Sequence, residues 1–225
     1  VGARPVFCEI CENSLNMDMN DAAEKVTPRT KAIMPVHYGG AVCEMDKLLP
    51  LAKKNDILIV EDAAHAFGSE YKNRKVGTLG DVTCFSFDPV KNITCGEGGA
   101  VVTDNDEIAA AVVHKRILGI DKDTWSRMQN KRNWFYQVVT KGYRYHMSNI
   151  NAAIGLEQLK RFSIFKEHKQ SIVRRYDQAF ANNPELVTLR HDIDQMFPFF
   201  YVIRVLNHRR DYLMAHLRKK NIRTG

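Results

Sequence analysis

Apolar and polar positions fall in short blocks along this chain, and the blocks switch repeatedly between the period of a strand and the period of a helix. Pro5–Ile10 reads as a strand, Asn20–Val26 as a short helix, and Lys31–Val36 as a strand that stops at His37-Tyr38-Gly39-Gly40. Leu48, Leu49 and Ala52 give Met45–Lys54 a helical period, with Pro50 inside it at the expected cost of a kink. The run Ile57-Leu58-Ile59-Val60 is a buried strand that ends abruptly in Glu61-Asp62-Ala63-Ala64-His65. This alternation predicts an α/β fold, a mostly parallel sheet with helices on both faces.

Tyr71–Asp81 is rich in turn residues, with Lys72-Asn73-Arg74-Lys75 as a hairpin tip. Val82–Phe87 and Gly99–Thr103 read as strands close enough to pair antiparallel. Asp104-Asn105-Asp106 caps a helix through Ile108, Val112, Val113 and Ile117 that is expected to end at Gly119. Ile120–Tyr145 has no clear period and reads as a long functional loop or an interface segment. Ser148 or Asn149 then caps one long helix running toward Tyr176 and Phe180, long enough to bridge two domains. Phe199–Val205 as a strand and Asp211–Lys220 as a helix predict part of a smaller α+β unit. The expected division is a large domain over 1–165 and the start of a small one over 166–225.

Composition narrows the class. The chain has 225 residues, 44% hydrophobic and 26% charged, which suits a globular protein with a sizeable core. No run reaches the length of a membrane span, and the first residues lack the charged and apolar regions of a signal peptide, so the cytoplasm is the expected location. The formal net charge of +7 is spread out, with only short clusters at Arg209-Arg210 and Arg218-Lys219-Lys220, which reads as solvated helix faces rather than a nucleic-acid stripe. Cys8, Cys11, Cys43, Cys84 and Cys95 are odd in number and irregularly spaced, as expected in a reducing compartment. Cys8 and Cys11 form a C-x-x-C without a second pair to complete a zinc site.

The candidate chemistry lies at two places. Asp62 and His65 emerge at the carboxyl end of a buried strand, where open α/β sheets bind their ligands. Lys91 sits on a turn between two strands, after Asp88-Pro89-Val90 and before Gly96-Glu97-Gly98-Gly99. An amine and an anion meeting at that edge are what pyridoxal phosphate chemistry needs, one for the Schiff base and one for the pyridinium nitrogen. Ser86 alternates with Phe85 and Phe87 and so faces away from them. Ala63 and Ala64 leave room for a flat ring near the backbone. Each has a plain structural alternative: a surface lysine, a capping aspartate, a core histidine, a hairpin with glycines.

Several ordered motifs weigh against those alternatives. Pro35-Val36-His37-Tyr38-Gly39-Gly40, Val60 to Gly68, Val76 to Asp81, Cys84 to Asn92, Gly96 to Thr103 and Gly142 to Gly155 together resemble the DegT/DnrJ/EryC1/StrS nucleotide-sugar aminotransferases. The resemblance runs from end to end but covers the middle of that family's longer chains, which implies missing N- and C-terminal portions. It implies a fold-type-I pyridoxal phosphate transferase, moving an amino group from L-glutamate to a keto group of a nucleotide-linked deoxysugar in surface polysaccharide or glycoconjugate synthesis.

By the same resemblance, Lys91 is the Schiff-base lysine and Asp62 faces the pyridine nitrogen. An ion pair of that kind at ~4 Å and an effective dielectric near 20 is worth about 4 kcal/mol, or roughly three units of pyridine pKa. His65 stands near the cofactor's phenolic oxygen and Ser86 at its phosphate; Ala64 is read as a cofactor contact from its small size, which lets a planar ring lie close to the backbone. Arg144 and His146 fall in the segment that crosses a homodimer interface to the partner's phosphate, in a stretch where the family commonly has an asparagine. A sugar dehydratase on the same scaffold carries histidine in place of the lysine, which Lys91 argues against. A binding relative without activity keeps the fold alone.

Overall fold

The computed structural model describes residues 2–121 and 136–225. A four-stranded sheet forms its centre, ordered β1 (Ala32–Ile33), β2 (Leu58–Asp62), β5 (Val82–Ser86) and β6 (Gly99–Val102). The first three strands are parallel, and β6 returns antiparallel to β5 with Ser86 opposite Gly99. In the chain between β2 and β5, β3 (Glu70–Tyr71) and β4 (Arg74–Lys75) form a hairpin whose tip is Lys72 and Asn73, both at positive φ; Arg74 and Lys75, expected in the tip, pair with β3 instead.

Register sorts the side chains. Ile33 lies opposite Ile59 and Glu61 opposite Thr83, so these point to one face together with Phe85. That face packs under α1 (Met19–Lys25) and α2 (Met45–Asn55), whose Met19, Ala22, Met45, Leu48 and Ala52 join Ile33, Ile57 and Ile59 in the core. Pro50 stays within α2 as one helix. Its missing N–H gives up only the bond to Asp46, in the helix's second turn. The other face carries Val36, Leu58, Asp62, Cys84 and Ser86.

Four expectations change. Pro5–Ile10 is extended chain rather than a strand, with Phe7 84% exposed and only a lone bridge from Ile10 to Met17. Side chains of α1 take its backbone groups instead: Asp21 accepts from Glu9 N–H and Lys25 donates to the Phe7 carbonyl. The helix after Asn105, α3 (Asp106–Lys115), stops short of Gly119. From Lys115 to Asp121 the chain pairs with Gln137 to Tyr145, and Gly119 sits in that ribbon at φ +75°, where a Cβ would lie 1.8 Å from the Thr140 carbonyl oxygen. The aperiodic segment expected over Ile120–Tyr145 thus has paired flanks, and its middle lies outside the described residues.

The single long helix is two. α4 (Asn149–Lys160), capped by Ser148, is separated from α5 (Phe162–Phe180) by Arg161 at φ −101°, ψ 4°. The break turns Phe162 toward Phe67 and Phe197, so aromatic packing outweighs helix continuity. The last strand is also shorter than expected. Only Ile203–Val205 (β8) pairs, antiparallel to β7 (Leu186–Thr188), with α6 (Arg210–Lys219) following. Phe199 and Phe200 leave the strand direction and turn to the edge of the main sheet.

Candidate active site

The carboxyl end of β2 is fixed on both sides. Asp62 N–H donates to the Pro35 carbonyl, its own carbonyl accepts from His37 N–H, and Ala63 N–H donates to Cys84. Asp62 Oδ1 accepts from Ala64 N–H at 3.1 Å, a tight turn that carries the chain past buried Ala63 to His65. Asp62, Cys84 and Ser86 share one face, so sheet register alone brings the carboxylate and the serine hydroxyl to the same side.

After β5 the chain closes a turn in which Lys91 N–H donates to the Asp88 carbonyl at 3.0 Å and Val90 N–H to Asp88 Oδ1 at 3.1 Å. Ser86 Oγ accepts from Asp88 N–H at the turn's start. Lys91 Nζ stands 4.8 Å from the centre of the Phe199 ring. The His65 imidazole stacks on that ring at 4.2 Å and 16°. Burial pushes His65 below its ordinary pKa, the Lys91 charge pushes it further the same way, and Asp62 opposes both. His65 therefore lies close enough to both Lys91 and Asp62 to feel their charges.

Their polar atoms are notably free of protein partners. Among the described residues His65 Nδ1 is buried without a hydrogen bond, Lys91 Nζ meets only an aromatic face, and Asp62 commits one oxygen to a single backbone N–H. Buried polar groups in proteins are nearly always satisfied, so an unpaired imidazole nitrogen beside an amine and a carboxylate marks a place for a polar ligand. A flat group with an aldehyde, a phenolic oxygen and a ring nitrogen fits that donor set. Ala64 and buried Ala63 keep the adjoining backbone clear of bulk.

Arg144 and His146 are not brought to this cluster. Both are exposed, in the ribbon strand that leads to α4, and their side chains make no hydrogen bond or ion pair among the described residues.

Two features were missed from sequence. The first is the aromatic wall of Phe199 and Phe200, with Tyr38 edge-on to Phe200 at 5.1 Å. Its signal was the apolar Phe197-Pro198-Phe199-Phe200 after polar Asp192–Gln195, where a proline bars regular pairing. Gly40 admits this segment: at φ +100° its absent Cβ would lie 2.3 Å from the Phe197 carbonyl oxygen. The second is Glu61, wholly buried beneath the site, accepting from His37 Nε2 at 2.7 Å, Thr83 Oγ1 at 2.6 Å and Gly80 N–H at 2.8 Å. Its signal was a carboxylate at the core parity of a strand, after Ile57 and Ile59.

The family model for the DegT/DnrJ/EryC1/StrS aminotransferase family matches residues 1–225. An uncharacterized protein of Methanocaldococcus jannaschii, MJ1066, is 41% identical over 228 aligned residues, covering 99% of this chain and 59% of that protein. The spore coat polysaccharide biosynthesis protein SpsC of Bacillus subtilis is 42% identical over 205 residues, covering 91% and 53% respectively. Among solved structures, Spr1654 of Streptococcus pneumoniae, named as a sugar aminotransferase, superposes in its PMP form with a TM-score of 0.90 at 32% identity, covering 99% of this chain and 62% of that one. The same protein in its PLP form gives a TM-score of 0.87. This chain thus spans between about half and three fifths of the length of the relatives it matches.

Proposed function

The chain belongs to the DegT/DnrJ/EryC1/StrS aminotransferase family, whose members use pyridoxal phosphate, and we propose that the whole protein is an aminotransferase acting on a nucleotide-linked deoxysugar. The observation that carries this reading is the cluster of Lys91 Nζ, the Asp62 carboxylate and His65 Nδ1, three polar groups gathered at the sheet edge with almost no protein partners. L-Glutamate is the proposed amino donor and a sugar ketone the acceptor, in surface polysaccharide or glycoconjugate synthesis.

Bound pyridoxal phosphate supplies an electron sink for a carbanion at the carbon bearing the amino group. The chain's residues do the rest. Lys91 would supply the amine that holds the cofactor and, once free of it, would take up and give back a proton at Nζ. Asp62, whose Oδ1 accepts from the Ala64 N–H, would face the ring nitrogen. His65, kept neutral by burial and by Lys91, offers a hydrogen bond to the phenolic oxygen without adding a competing positive charge. Ser86 Oγ is the proposed phosphate ligand, and Ala64 the proposed floor beneath the ring.

Arg144 and His146 are proposed to serve the site of a second subunit. Beside them Tyr145 is 76% and Ile150 75% exposed, an apolar surface of the kind a homodimer covers. The chain is read as a cofactor-binding part over 1–165 and the beginning of a smaller part over 166–225. All five cysteines are unpaired, which favours the cytoplasm, and among the described residues no helix is long and apolar enough to cross a membrane.

The test uses the full-length protein, incubated with pyridoxal phosphate and with glutamate. A cofactor absorbance band that glutamate converts, and that a nucleotide-linked keto-sugar restores, supports the reading. A band indifferent to glutamate and to every amino acid tried contradicts it.

A further inference from the structure

Phe199 reaches the site from the far part of the chain and touches both of its bases. Its ring lies under Lys91 Nζ at 4.8 Å and against the His65 imidazole at 4.2 Å. The segment that delivers it is pinned. Phe199 N–H donates to the Gly39 carbonyl at 2.9 Å, Phe197 N–H to Ser69 Oγ at 2.9 Å, and the Phe197 side chain has no exposed surface. Asn92, the residue after Lys91, donates to the Phe197 carbonyl at 3.2 Å, and Lys169 of α5 donates to Asn92 Oδ1 at 2.5 Å. The ring is thus held in register with the lysine turn itself.

We propose that Phe199 is a positioning residue for the Lys91 amine, its ring face giving the ammonium form a fixed resting place beside His65. This rests on the reading of Lys91 as the working amine. The face of an aromatic ring is electron-rich and attracts a cation, an effect an aliphatic side chain of similar bulk lacks. The other ionisable groups around this turn are Asp62 at the end of β2 and His65 beyond it, Asp88 in the same turn, and Lys169 through Asn92.

Phe199→Leu separates ring from bulk. It keeps an apolar cover over Lys91 but removes the attraction to the cation, so the amine gives up its proton more readily. The probe is trace acetylation of the cofactor-free, full-length protein across a pH series, with the Lys91 peptide read by mass spectrometry. In Phe199→Leu the midpoint for Lys91 labelling should fall by roughly half a unit to one and a half pH units, so that Lys91 labels faster near neutrality than in the parent. Phe199→Tyr, which keeps the ring, should label as the parent does. A Leu midpoint that stays or rises overturns the proposal, and so does a Tyr variant that follows Leu. If Lys91 is not the cofactor lysine, that failure shows separately, as a parent protein whose borohydride-fixed cofactor lies elsewhere, while the acetylation comparison still reads the ring's effect on the amine.

Discussion

His37 donates through Nε2 to the Glu61 carboxylate across 2.7 Å, and neither side chain has exposed surface. His37 Nδ1 accepts from Cys43 N–H at 3.2 Å, which places the ring's proton on Nε2 and leaves the imidazole neutral and Glu61 ionised. His37 also gives its backbone N–H to the Asp62 carbonyl. One residue thus ties the buried charge to the strand end that presents the site.

Glu61→Ala leaves the His37, Thr83 and Gly80 donors without an acceptor and should destabilise the protein by at least about 3 kcal/mol in denaturant unfolding, about 1 kcal/mol or more for each stranded donor. Burial alone would raise the Glu61 pKa, but hydrogen bonds from His37, Thr83 and Gly80 outweigh it and hold it below the ordinary 4.5. A carboxyl whose folded pKa is depressed contributes stability above its unfolded pKa, and this is lost as pH falls through the folded value. Stability should therefore drop as pH falls below about 4.5, and Glu61→Gln should flatten that limb in an unfolding series.

His65 should be neutral at pH 7 and titrate below its ordinary 6.5, because burial first and Lys91 second disfavour its charge. The unfolded chain takes up that proton before the folded one does. The His65 contribution is therefore fully present above pH 6.5 and declines as pH falls toward the folded value. Lys91→Met removes the positive charge and should move the His65 midpoint upward in an NMR titration.

Gly40→Ala sets a Cβ 2.3 Å from the Phe197 carbonyl oxygen at a backbone φ of +100°. The loss should be at least about 2 kcal/mol, from left-handed strain plus a displaced main chain. Thermal unfolding checks it, and cofactor affinity should weaken as well, because the Phe197 segment carries Phe199 into the site.

What could be read from residues alone was whatever depended on local period and strand ends. Asp62 follows the abrupt end of an apolar run, Ser86 alternates with Phe85 and Phe87, Lys91 lies on a turn between two strands, and composition marks a hairpin tip over Lys72–Lys75, of which only Lys72 and Asn73 form the tip. By sequence Phe199 falls in a strand, because Phe199–Val205 fits that period. Contacts far away in sequence, with Gly39, Gly40, Ser69 and Asn92, pull it out of line. The break at Arg161 is equally non-local, since Phe162 leaves the helix path to meet Phe67 and Phe197. Pro5–Ile10 has the composition of a strand, but its backbone is taken up by side chains of α1.

Arg144→Ala should leave subunit folding intact, because its exposed side chain makes no hydrogen bond among the described residues. If it serves a partner's site, cofactor affinity falls by tenfold or so, the scale of one lost charge-assisted hydrogen bond to phosphate. Equilibrium dialysis at concentrations where sedimentation shows a dimer measures this. Parent-like affinity in a stable dimer would place Arg144 outside the site.

The most direct measurement is borohydride reduction of the full-length protein loaded with pyridoxal phosphate, followed by peptide mass mapping. The cofactor mass should appear on the peptide bearing Lys91 and vanish in Lys91→Ala, together with glutamate-dependent conversion of the absorbance band. A cofactor fixed to another lysine, or full transamination by Lys91→Ala, would contradict the assignment of this turn and strand end as the active site.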